Sequence, residues 1–362
     1  MKIVYDIIPS ENESFTALGF FDKFVNFAKM GAIIPITGFA HSMQSATLDY
    51  KNLMKTAGEV HKASGKSRIS AFTDIVKCGM KYQAGYMDYK LFKMYELSDE
   101  ERAKILTRGK NDAYVRRLND KEYVGIFSDK AEFNKHFDKY LCREWILLDG
   151  NNEADFAKFI QNKEQIIVKP LGLCCGKGIE ILDPRKYGIH ELYEYLIKNQ
   201  SYLVEEVVKQ SAEISAIYPS SVNTIRIVTV LSDNNVPSIV GAYMRIGTGG
   251  NVVDNFNHGG ITAPINIETG KIEHKARNKS NVYFSNHPDT NAQILGFTIP
   301  NWSGLTDYAK SLALVMPKMR YVGWDICITE KGFAVIEANE YPGNDLYQIP
   351  KEDIGTANLI ED

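Results

Sequence analysis

The sequence predicts an α+β protein with a mainly helical N-terminal region. Apolar residues recur at helical spacing through residues 1–120, where alternating β-branched residues are rare. From about residue 123 the chain changes to short strands, helices and glycine turns, with several strands in succession. Strands that follow one another in runs are typical of α+β folds rather than of a regularly wound β–α–β sheet.

The composition is that of a globular protein with two or three folding units. The 362 residues exceed the roughly 150 of an average domain, and 44% hydrophobic with 24% charged residues is an ordinary balance. No apolar run reaches the roughly 18 residues of a membrane span, and the N-terminus lacks a signal-peptide pattern. Five cysteines without C-x-x-C spacing indicate reduced thiols. We therefore expect a cytoplasmic protein without a transmembrane segment.

The net charge of −3 is divided unevenly along the chain. Residues 1–120 contain 18 Lys and Arg against 14 Asp and Glu, and the remainder contains 24 against 31, which gives +4 and −7 and sums to −3. This mild asymmetry permits an anionic ligand near the N-terminal part but does not by itself indicate one. We expect no nucleic-acid partner.

The first predicted elements are helices. Ser98 followed by Glu101 forms a capping box before a helix at residues 102–106. A set of aromatic residues also recurs at helical spacing, and it has two interpretations: a stripe buried in the core or a stacking wall of a substrate pocket. The set consists of Tyr82, Tyr86, Tyr89, Phe92 and Tyr95.

Helices and strands follow in irregular order after residue 123. Ser128 is a candidate N-cap of a helix, residues 166–169 form a strand, and residues 184–198 form a second helix. A third helix, near residues 303–319, interrupts a later series of strands. These strands are predicted at 202–208, 223–231, 236–246, 261–267, 321–328 and 333–339.

A glycine-rich loop follows a short apolar strand in IIVKPLGLCCGKG, at residues 166–178. Gly172 and Gly176 are one residue too close for a P-loop, and Ile181 stands where a dinucleotide fingerprint requires a glycine. The adjacent Cys174 and Cys175 have no partner at zinc spacing, which argues against a metal site.

The interpretation that remains is a loop that binds a polyphosphate. The backbone N–H groups of Gly172, Gly176 and Gly178 can fold over phosphates, and Lys177 lies in the same loop. Lys169 ends a buried strand, where an unpaired ammonium group is costly, so we predict that it contacts phosphate.

The strongest signal is VGWDICITEKGFAVIEANEYPG at residues 322–343. Glu337 and Asn339 are two apart on one predicted strand and therefore face the same side, where Asp325 of the adjoining strand can join them. Two carboxylates and an amide are oxygen ligands that suit Mg²⁺. A purely structural role would leave three polar groups among apolar neighbours at considerable cost. We predict a magnesium site here.

Two arginines lie between these motifs. Arg226 is inside the strand TIRIVTV, where it requires an anion; a structural carboxylate and a ligand phosphate both qualify, and we favour the phosphate. Arg245 lies in a similar setting before a glycine turn. Asn255 precedes a glycine pair whose small size lets the backbone approach a reacting phosphoryl group.

These motifs resemble the ATP-grasp superfamily, in which a lysine-bearing strand and glycine loop precede a D…E-x-N metal set. YLVEEVVKQ at 202–210 resembles the hinge strand that contacts adenine in that superfamily. The closest resemblance is to the sugar-transfer associated ATP-grasp family, which is similar to alpha-L-glutamate ligases. SSVNTIRIVTVL at 220–231 and AYMRIGTGGNVVDNFNHGGI at 242–261 look like its middle motifs, and residues 66–102 like its N-terminal region.

The resemblance implies an ATP-grasp fold with ATP and Mg²⁺ as cofactors. It implies a first subdomain with the lid at residues 121–204 and a second with the metal site at 205–362, beside an acceptor-binding region at 1–120. It assigns Lys130 and Lys169 to ATP phosphates, Glu205, Glu206 and Val208 to adenine, Glu213 to ribose, Arg226, Arg245 and Asn255 to catalysis, and Asp325, Glu337 and Asn339 to the metal.

The activity implied is that of an ATP-dependent carboxylate–amine ligase. It forms an amide through an acylphosphate in polysaccharide or sugar-conjugate biosynthesis, from small carboxylate and amine substrates that are sugar-linked. One alternative is a kinase that phosphorylates its acceptor and stops. Another is a non-catalytic nucleotide-binding scaffold of glycan assembly, whose basic N-terminal helix would dock on a membrane or on a glycosyltransferase. This helix contains Lys51, Lys55, Lys62 and Lys66.

Overall fold

The computed structural model of the chain describes residues 50–171, 178–251, 253–280 and 282–348. The chain divides into two compact units. The first contains the residues up to Ala103 together with Thr107–Lys110, and the second contains Lys104–Leu106 and the residues from Asn111 onward.

The first unit is helical in its described part, as the sequence predicts. Ser67 caps the second helix by accepting a hydrogen bond from the N–H of Ser70. The predicted capping box is confirmed, because Ser98 and Glu101 exchange side-chain to backbone hydrogen bonds of 2.6 and 3.3 Å. The helices are α1 (Tyr50–Ser64), α2 (Arg68–Tyr82), α3 (Tyr86–Leu91) and α4 (Asp99–Lys104), with a 3₁₀ turn at Met94–Glu96.

The aromatic set of this unit is mostly buried but does not lie on one helix. Tyr82 ends α2, Tyr89 lies on α3, and Phe92 follows α3. All three are buried, which favours the core interpretation over a substrate wall. The hydroxyl of Tyr89 donates to Asp74 at 2.6 Å, and Arg102 makes a two-point ion pair with the same carboxylate.

The second unit contains two antiparallel sheets. The smaller sheet has the strand order β1-β4-β2-β3 and the larger β11-β10-β5-β6-β7-β8-β9. The strands are β1 (Trp145–Leu147), β2 (Ile166–Lys169), β3 (Glu180–Leu182), β4 (Leu203–Glu206), β5 (Ile225–Leu231), β6 (Pro237–Ile246), β7 (Ile261–Pro264), β8 (Ala276–Arg277), β9 (Tyr283–Phe284), β10 (Tyr321–Thr329) and β11 (Gly332–Asn339).

Helices accompany both sheets of the second unit. One helix, α5, begins in the first unit and continues into the second. The helices are α5 (Arg108–Leu118), α6 (Val124–Ser128), α7 (Lys130–Leu141), α8 (Glu153–Ile160), α9 (Ile189–Lys198), α10 (Ala212–Ser215) and α11 (Trp302–Ala313).

Three helix boundaries differ from the sequence prediction. Ser128 ends α6, and Asp129 caps α7 by accepting hydrogen bonds from the N–H groups of Ala131 and Glu132, a position where its negative charge also favours the helix dipole. The helix predicted from residue 184 begins at Ile189, because extended backbone at Gly188 separates it from a 3₁₀ turn. The helix predicted to reach residue 319 ends at Ala313.

The central strands of the large sheet are buried in its core. All seven residues of β5 are buried, as are the first eight of β10. Trp324 of β10 packs against Phe127 and Phe137, with ring centroids 6.0 and 5.4 Å away. Side chains on the opposite face of these two strands are therefore held on a fixed frame.

Candidate active site

A row of charged side chains crosses the large sheet. Asp325 of β10 lies opposite Arg226 of β5 on one side and opposite Glu337 of β11 on the other. Paired residues on adjacent strands point to the same face. Arg245 of β6 joins this face because it is two residues beyond Tyr243, the partner of Arg226. The structure thus brings the two predicted carboxylates and the two predicted arginines together.

Both oxygens of Asp325 are held by arginines. Arg226 donates from Nε to Oδ1 and from Nη2 to Oδ2, the latter at 2.8 Å, and Arg245 donates from Nη1 to Oδ2. Burial alone would raise the pKa of Asp325, but the two guanidinium groups lower it to about 2. Arg226 therefore pairs with a carboxylate of the protein itself, and its contact with a ligand phosphate stays a prediction.

The loop after β6 holds Arg245 in place through Asp254. Asp254 forms an ion pair with Nη2 of Arg245 at 2.9 Å and accepts a hydrogen bond from the backbone N–H of Thr224 at 2.9 Å. The half-buried Asn255 follows, and its carbonyl accepts from the N–H of Gly260 at 3.1 Å. A Cβ at Gly260 would lie 2.7 Å from the carbonyl oxygen of Asp254. A side chain at residue 260 would therefore push this loop away from the arginine.

Glu337 and Asn339 offer the open oxygen donors of the row. The side chain of Glu337 is 54% exposed, and its only ion pair among the described residues is with Arg245 at 3.8 Å. The protein around it still desolvates this carboxylate, and with the charge of Asp325 this raises the pKa of Glu337. The buried Nδ2 of Asn339 has no hydrogen-bond partner among the described residues, so this amide is not fixed in orientation.

The donor chemistry of these three residues fits a hard divalent cation. A carboxylate has about four lone-pair sites, and Oδ1 of Asp325 accepts a single described hydrogen bond, which leaves one site open. Glu337 and Asn339 add a carboxylate and an amide oxygen on the neighbouring strand. Within the described ranges no group of three or more His, Cys, Asp or Glu is arranged to hold a metal, so the amide would have to complete this set.

A second buried ionic cluster surrounds Lys169, at the end of β2. Its Nζ contacts Oε2 of Glu205 on β4 at 2.5 Å. Arg143 binds the same carboxylate through Nε at 2.9 Å, and Asn134 donates to Oε1 at 2.7 Å. Burial opposes ionisation of Glu205, yet Arg143 and Lys169 bring its pKa well below the ordinary value. Burial lowers the pKa of Lys169, and Glu205 partly offsets this effect.

Arg143 was not singled out from the sequence, although it connects the two sheets. Besides Glu205 of the small sheet, it donates to the carbonyl of Val335 in the large sheet at 2.7 Å. Val335 is two residues before Glu337 on the same strand. The negative charge of Glu337 favours the protonated form of Lys169. In the sequence, Arg143 is marked only as a cationic residue between a helix and an apolar strand. Many surface arginines share this setting.

The remaining predicted nucleotide contacts are divided between the small sheet and α10, whose Ile214 packs into the core of the large sheet. Lys130 begins α7, and its Nζ donates to the carbonyl of Pro170 at 3.4 Å. Glu206 is exposed at the end of β4, Val208 is half-buried beyond it, and Glu213 is exposed on α10. Their contacts with adenine and ribose stay predictions.

The predicted phosphate loop is described only at its ends. Gly178 has a φ of 71°, a backbone conformation that glycine adopts without strain. Gly172, Gly176 and Lys177 lie outside the described residues, as do Cys174 and Cys175.

A comparison with protein families identifies the fold that carries these clusters. A family model described as sugar-transfer associated ATP-grasp matches residues 109–359. The chain belongs to this family. Membership confirms the predicted ATP-grasp fold, the α+β class and the assignment to the ATP-grasp enzymes. The match begins at residue 109, so the likeness seen at residues 66–102 stays a prediction.

Solved structures of similar fold have low sequence identity to this chain. N5-carboxyaminoimidazole ribonucleotide synthetase from Thermotoga maritima is 14% identical with a TM-score of 0.36, over 62% of this chain and 44% of the synthetase. D-alanine–D-alanine ligase from Bacillus anthracis, complexed with ATP, is 14% identical with a TM-score of 0.39, over 66% and 64%. The chain thus spans less than half of the synthetase.

The N-terminal part matches a different family. A model described as SpoVAC/SpoVAEB sporulation membrane protein matches residues 13–69. Stage V sporulation protein AC of Bacillus subtilis (strain 168) is 42% identical over 55 residues, which are 12% of this chain and 37% of that protein. Most of the matched segment precedes the described residues. None of the helices that the structure describes is both long and apolar enough to cross a membrane.

Proposed function

We propose that the protein is an ATP-dependent carboxylate–amine ligase that works through an acylphosphate. The observation that carries this proposal is the row of Arg226, Asp325, Arg245 and Glu337, which places one buried and one half-buried guanidinium group beside an open carboxylate. Fixed positive charge is what a site needs where phosphoryl oxygens gain charge during transfer. Fixed carboxylate and amide oxygens beside it suit a cation that shares phosphate oxygens.

In this proposal the protein positions ATP and stabilises the transferred group. A carboxylate oxygen of the acceptor attacks the γ-phosphorus, the bond to the β,γ-bridging oxygen breaks, and ADP leaves. Lys169 can turn from Glu205 toward phosphate because Arg143 continues to neutralise that glutamate. Magnesium held at Asp325, Glu337 and Asn339 would supply further neutralisation of the phosphates.

The second half of the proposed reaction forms the amide. An amine nitrogen attacks the acyl carbon, the acyl carbon–oxygen bond breaks, and inorganic phosphate leaves with one oxygen of the original carboxylate. The amine loses a proton to solvent or to a nearby base. A carboxylate alone has a poor leaving group, so phosphorylation is the step that makes this attack feasible. Because an acylphosphate hydrolyses readily, water must be excluded while it exists.

The substrates are proposed from the family description. The words "sugar-transfer associated" support a sugar-linked carboxylate or amine, in the biosynthesis of a polysaccharide or sugar conjugate. The described cysteines, Cys78, Cys142 and Cys327, are free thiols, and this supports a cytoplasmic enzyme. Peripheral association with glycan-assembly proteins is part of the same proposal.

Replacing Glu337 with glutamine tests the site. The substitution keeps the shape and removes the charge, so we expect Mg²⁺-dependent ADP formation to fall roughly a hundredfold or more, with an unchanged near-ultraviolet circular dichroism spectrum. Glu268→Gln is the matched control, because Glu268 is exposed in a turn outside the row. Equal turnover in the two variants would remove Glu337 from the site.

Isotope transfer distinguishes the ligase from the kinase. Mixtures of carboxylates and amines, including sugar-linked ones, are first screened for ADP formation. A carboxylate labelled with ¹⁸O should then deliver one labelled oxygen to the released phosphate, and turnover should require the amine. Active turnover without label in phosphate would favour a kinase, and the absence of turnover with any acceptor would favour a scaffold.

A further inference from the structure

The second unit contains a cavity that the proposed reaction does not use. Its volume is about 690 Å³, and none of the residues assigned above to nucleotide, metal or catalysis lines it. Two acidic side chains, Asp120 and Glu122, lie in the lining. The cationic side chains outnumber them: Arg116, Arg117, Lys121, Lys318 and Arg320.

The backbone that carries these cations is fixed. The segment after α5 pairs with the segment before β10, because the N–H of Asp120 donates to the carbonyl of Lys318 at 3.0 Å and the N–H of Arg320 to that of Leu118 at 3.2 Å. Buried Asn119 between them exchanges hydrogen bonds of 2.7 and 2.8 Å with the backbone of Tyr321. The cavity is therefore built on ordered backbone rather than on a loose loop.

Several of these positive charges are not neutralised by the protein. Arg116, Lys121 and Lys318 are exposed and make no ion pair with any residue that the structure describes. Arg320 is held in place by the carbonyl of Leu231 at 2.9 Å, and its ion pair with Asp233 at 2.8 Å involves a carboxylate that is 92% exposed. Such an exposed pair is screened by solvent and leaves most of the cationic field intact.

The lining of the cavity is basic, whereas the second unit as a whole is acidic. Residues 104–106 and 111–362, which form this unit, contain 27 Lys and Arg against 33 Asp and Glu, a net charge of −6. A cluster of like charges destabilises a fold through self-repulsion and attracts a counter-ion of opposite sign. An anion is therefore the ligand that this local excess of cations would recruit.

We propose that this cavity binds a molecule bearing two or more phosphate groups. Guanidinium and ammonium groups together favour phosphate, the first through paired N–H donors and the second as a point charge. A volume of 690 Å³ is in the range of small-molecule sites. The lining contains no aromatic side chain on which a base could stack, which disfavours a single-stranded nucleic acid.

The proposal is tested by calorimetric titration of the full chain with inorganic pyrophosphate. No nucleotide is added, because ADP itself carries two phosphate groups and would compete for the cavity; binding at the proposed ATP site is the same in wild type and in the cavity variant. The variant Arg116→Gln/Lys121→Gln should bind at least tenfold more weakly than wild type, and its affinity should depend less on salt. The control Lys275→Gln/Lys279→Gln removes two exposed lysines of the same unit that do not line the cavity and should bind like wild type.

A second arm distinguishes a soluble phosphate from a lipid headgroup. Vesicles of phosphatidylcholine with and without phosphatidylinositol bisphosphate, a lipid whose headgroup bears several phosphates, are sedimented with the same three proteins. Cavity-dependent binding of pyrophosphate alone supports a soluble ligand, and cavity-dependent binding of the phosphatidylinositol bisphosphate vesicles supports a lipid. If neither binds, or if the control loses as much affinity as the cavity variant, the proposal is overturned. ADP formation by the cavity variant is measured separately, so failure of the ligase proposal is recognised independently.

Discussion

Replacing Glu205 with glutamine would leave two buried cations facing one neutral acceptor. In the wild-type protein its two carboxylate oxygens accept four hydrogen bonds, from Lys169, from Asn134 and twice from Arg143. The side chains of Glu205 and Arg143 are each 2% exposed and that of Lys169 is 10% exposed. Water therefore cannot take over the missing charge.

The expected loss of stability follows from this burial. Removing one partner of a buried ion pair costs about 3–5 kcal/mol, because the other charge stays uncompensated. Glutamine retains one oxygen and so keeps part of the hydrogen bonding, but its NH₂ group then faces a cationic donor. We expect about 3–5 kcal/mol of destabilisation, which lowers the Tm by about 2–4 °C per kcal/mol for a folding unit of this size.

Guanidinium chloride unfolding followed by tryptophan fluorescence is a suitable assay. All three tryptophans, Trp145, Trp302 and Trp324, lie in the second unit, so the signal reports on the unit that contains Glu205. The neighbouring Glu206→Gln is the matched control, since Glu206 is exposed and should change stability by less than about 0.5 kcal/mol. Equal effects of the two substitutions would refute the reasoning.

The difference in stability between wild type and Glu205→Gln should depend on pH. The folded-state pKa of Glu205 is lowered, so its stabilising contribution is fully present above the unfolded-state pKa of about 4.5 and is lost as the pH falls below it. The stability gap between wild type and Glu205→Gln should therefore be constant near neutral pH and shrink in acid. A gap that widened below pH 4.5 would show that the carboxylate is not held in its charged form.

Two further predictions concern thiols and glycines. Iodoacetamide at neutral pH should label exposed Cys142 but not Cys78 or Cys327, whose burial raises the thiol pKa to about 11 and about 12, and peptide mass spectrometry would detect any exception. Gly241→Ala should destabilise the protein by about 1–3 kcal/mol, because its Cβ would lie 2.6 Å from an aromatic ring. Gly125→Ala, which meets nothing within 4 Å on a helix, should instead be neutral or slightly stabilising; thermal unfolding compares the two.

The charged row could be predicted from sequence because it depends on local periodicity. Glu337 and Asn339 share a face through the two-residue repeat of a strand, and a tight turn places Asp325 on the adjoining strand. Apolar residues between them mark both strands as buried. A polar residue that interrupts such a pattern is conspicuous. Its partner across the hairpin does not follow from counting, which would pair Asp325 with Ile336. A β-bulge between Asp325 and Ile326 shifts the register and brings Glu337 opposite Asp325.

The cluster around Glu205 could not be predicted in the same way. Its partner Arg143 is 62 residues away and lies outside any periodic pattern. Which donors meet a buried carboxylate depends on how β4 packs against β2 and on where α7 ends, and these are long-range properties. The sequence indicated that Lys169 needs an anion; it did not indicate that the protein supplies one itself.

The helix boundaries show the limit of single-residue signals. Ser128 and Asp129 are both good N-caps, and residue type alone does not choose between them. The choice depends on α6, which uses Ser128 as its last residue. Because α6 and α7 follow each other directly, the cap of α7 is Asp129, one residue after the predicted Ser128.

The arginines around Asp325 have a consequence for how the protein is made and handled. Because Arg226 and Arg245 already balance Asp325 and Asp254, the polypeptide can reach its native state before any divalent ion arrives. If magnesium binds at the proposed site, chelating agents should stop turnover during purification without unfolding the chain, unlike small zinc domains that lose their structure with their metal. Under that proposal the protein can be stored inactive and started by adding the ion, with no refolding step in between.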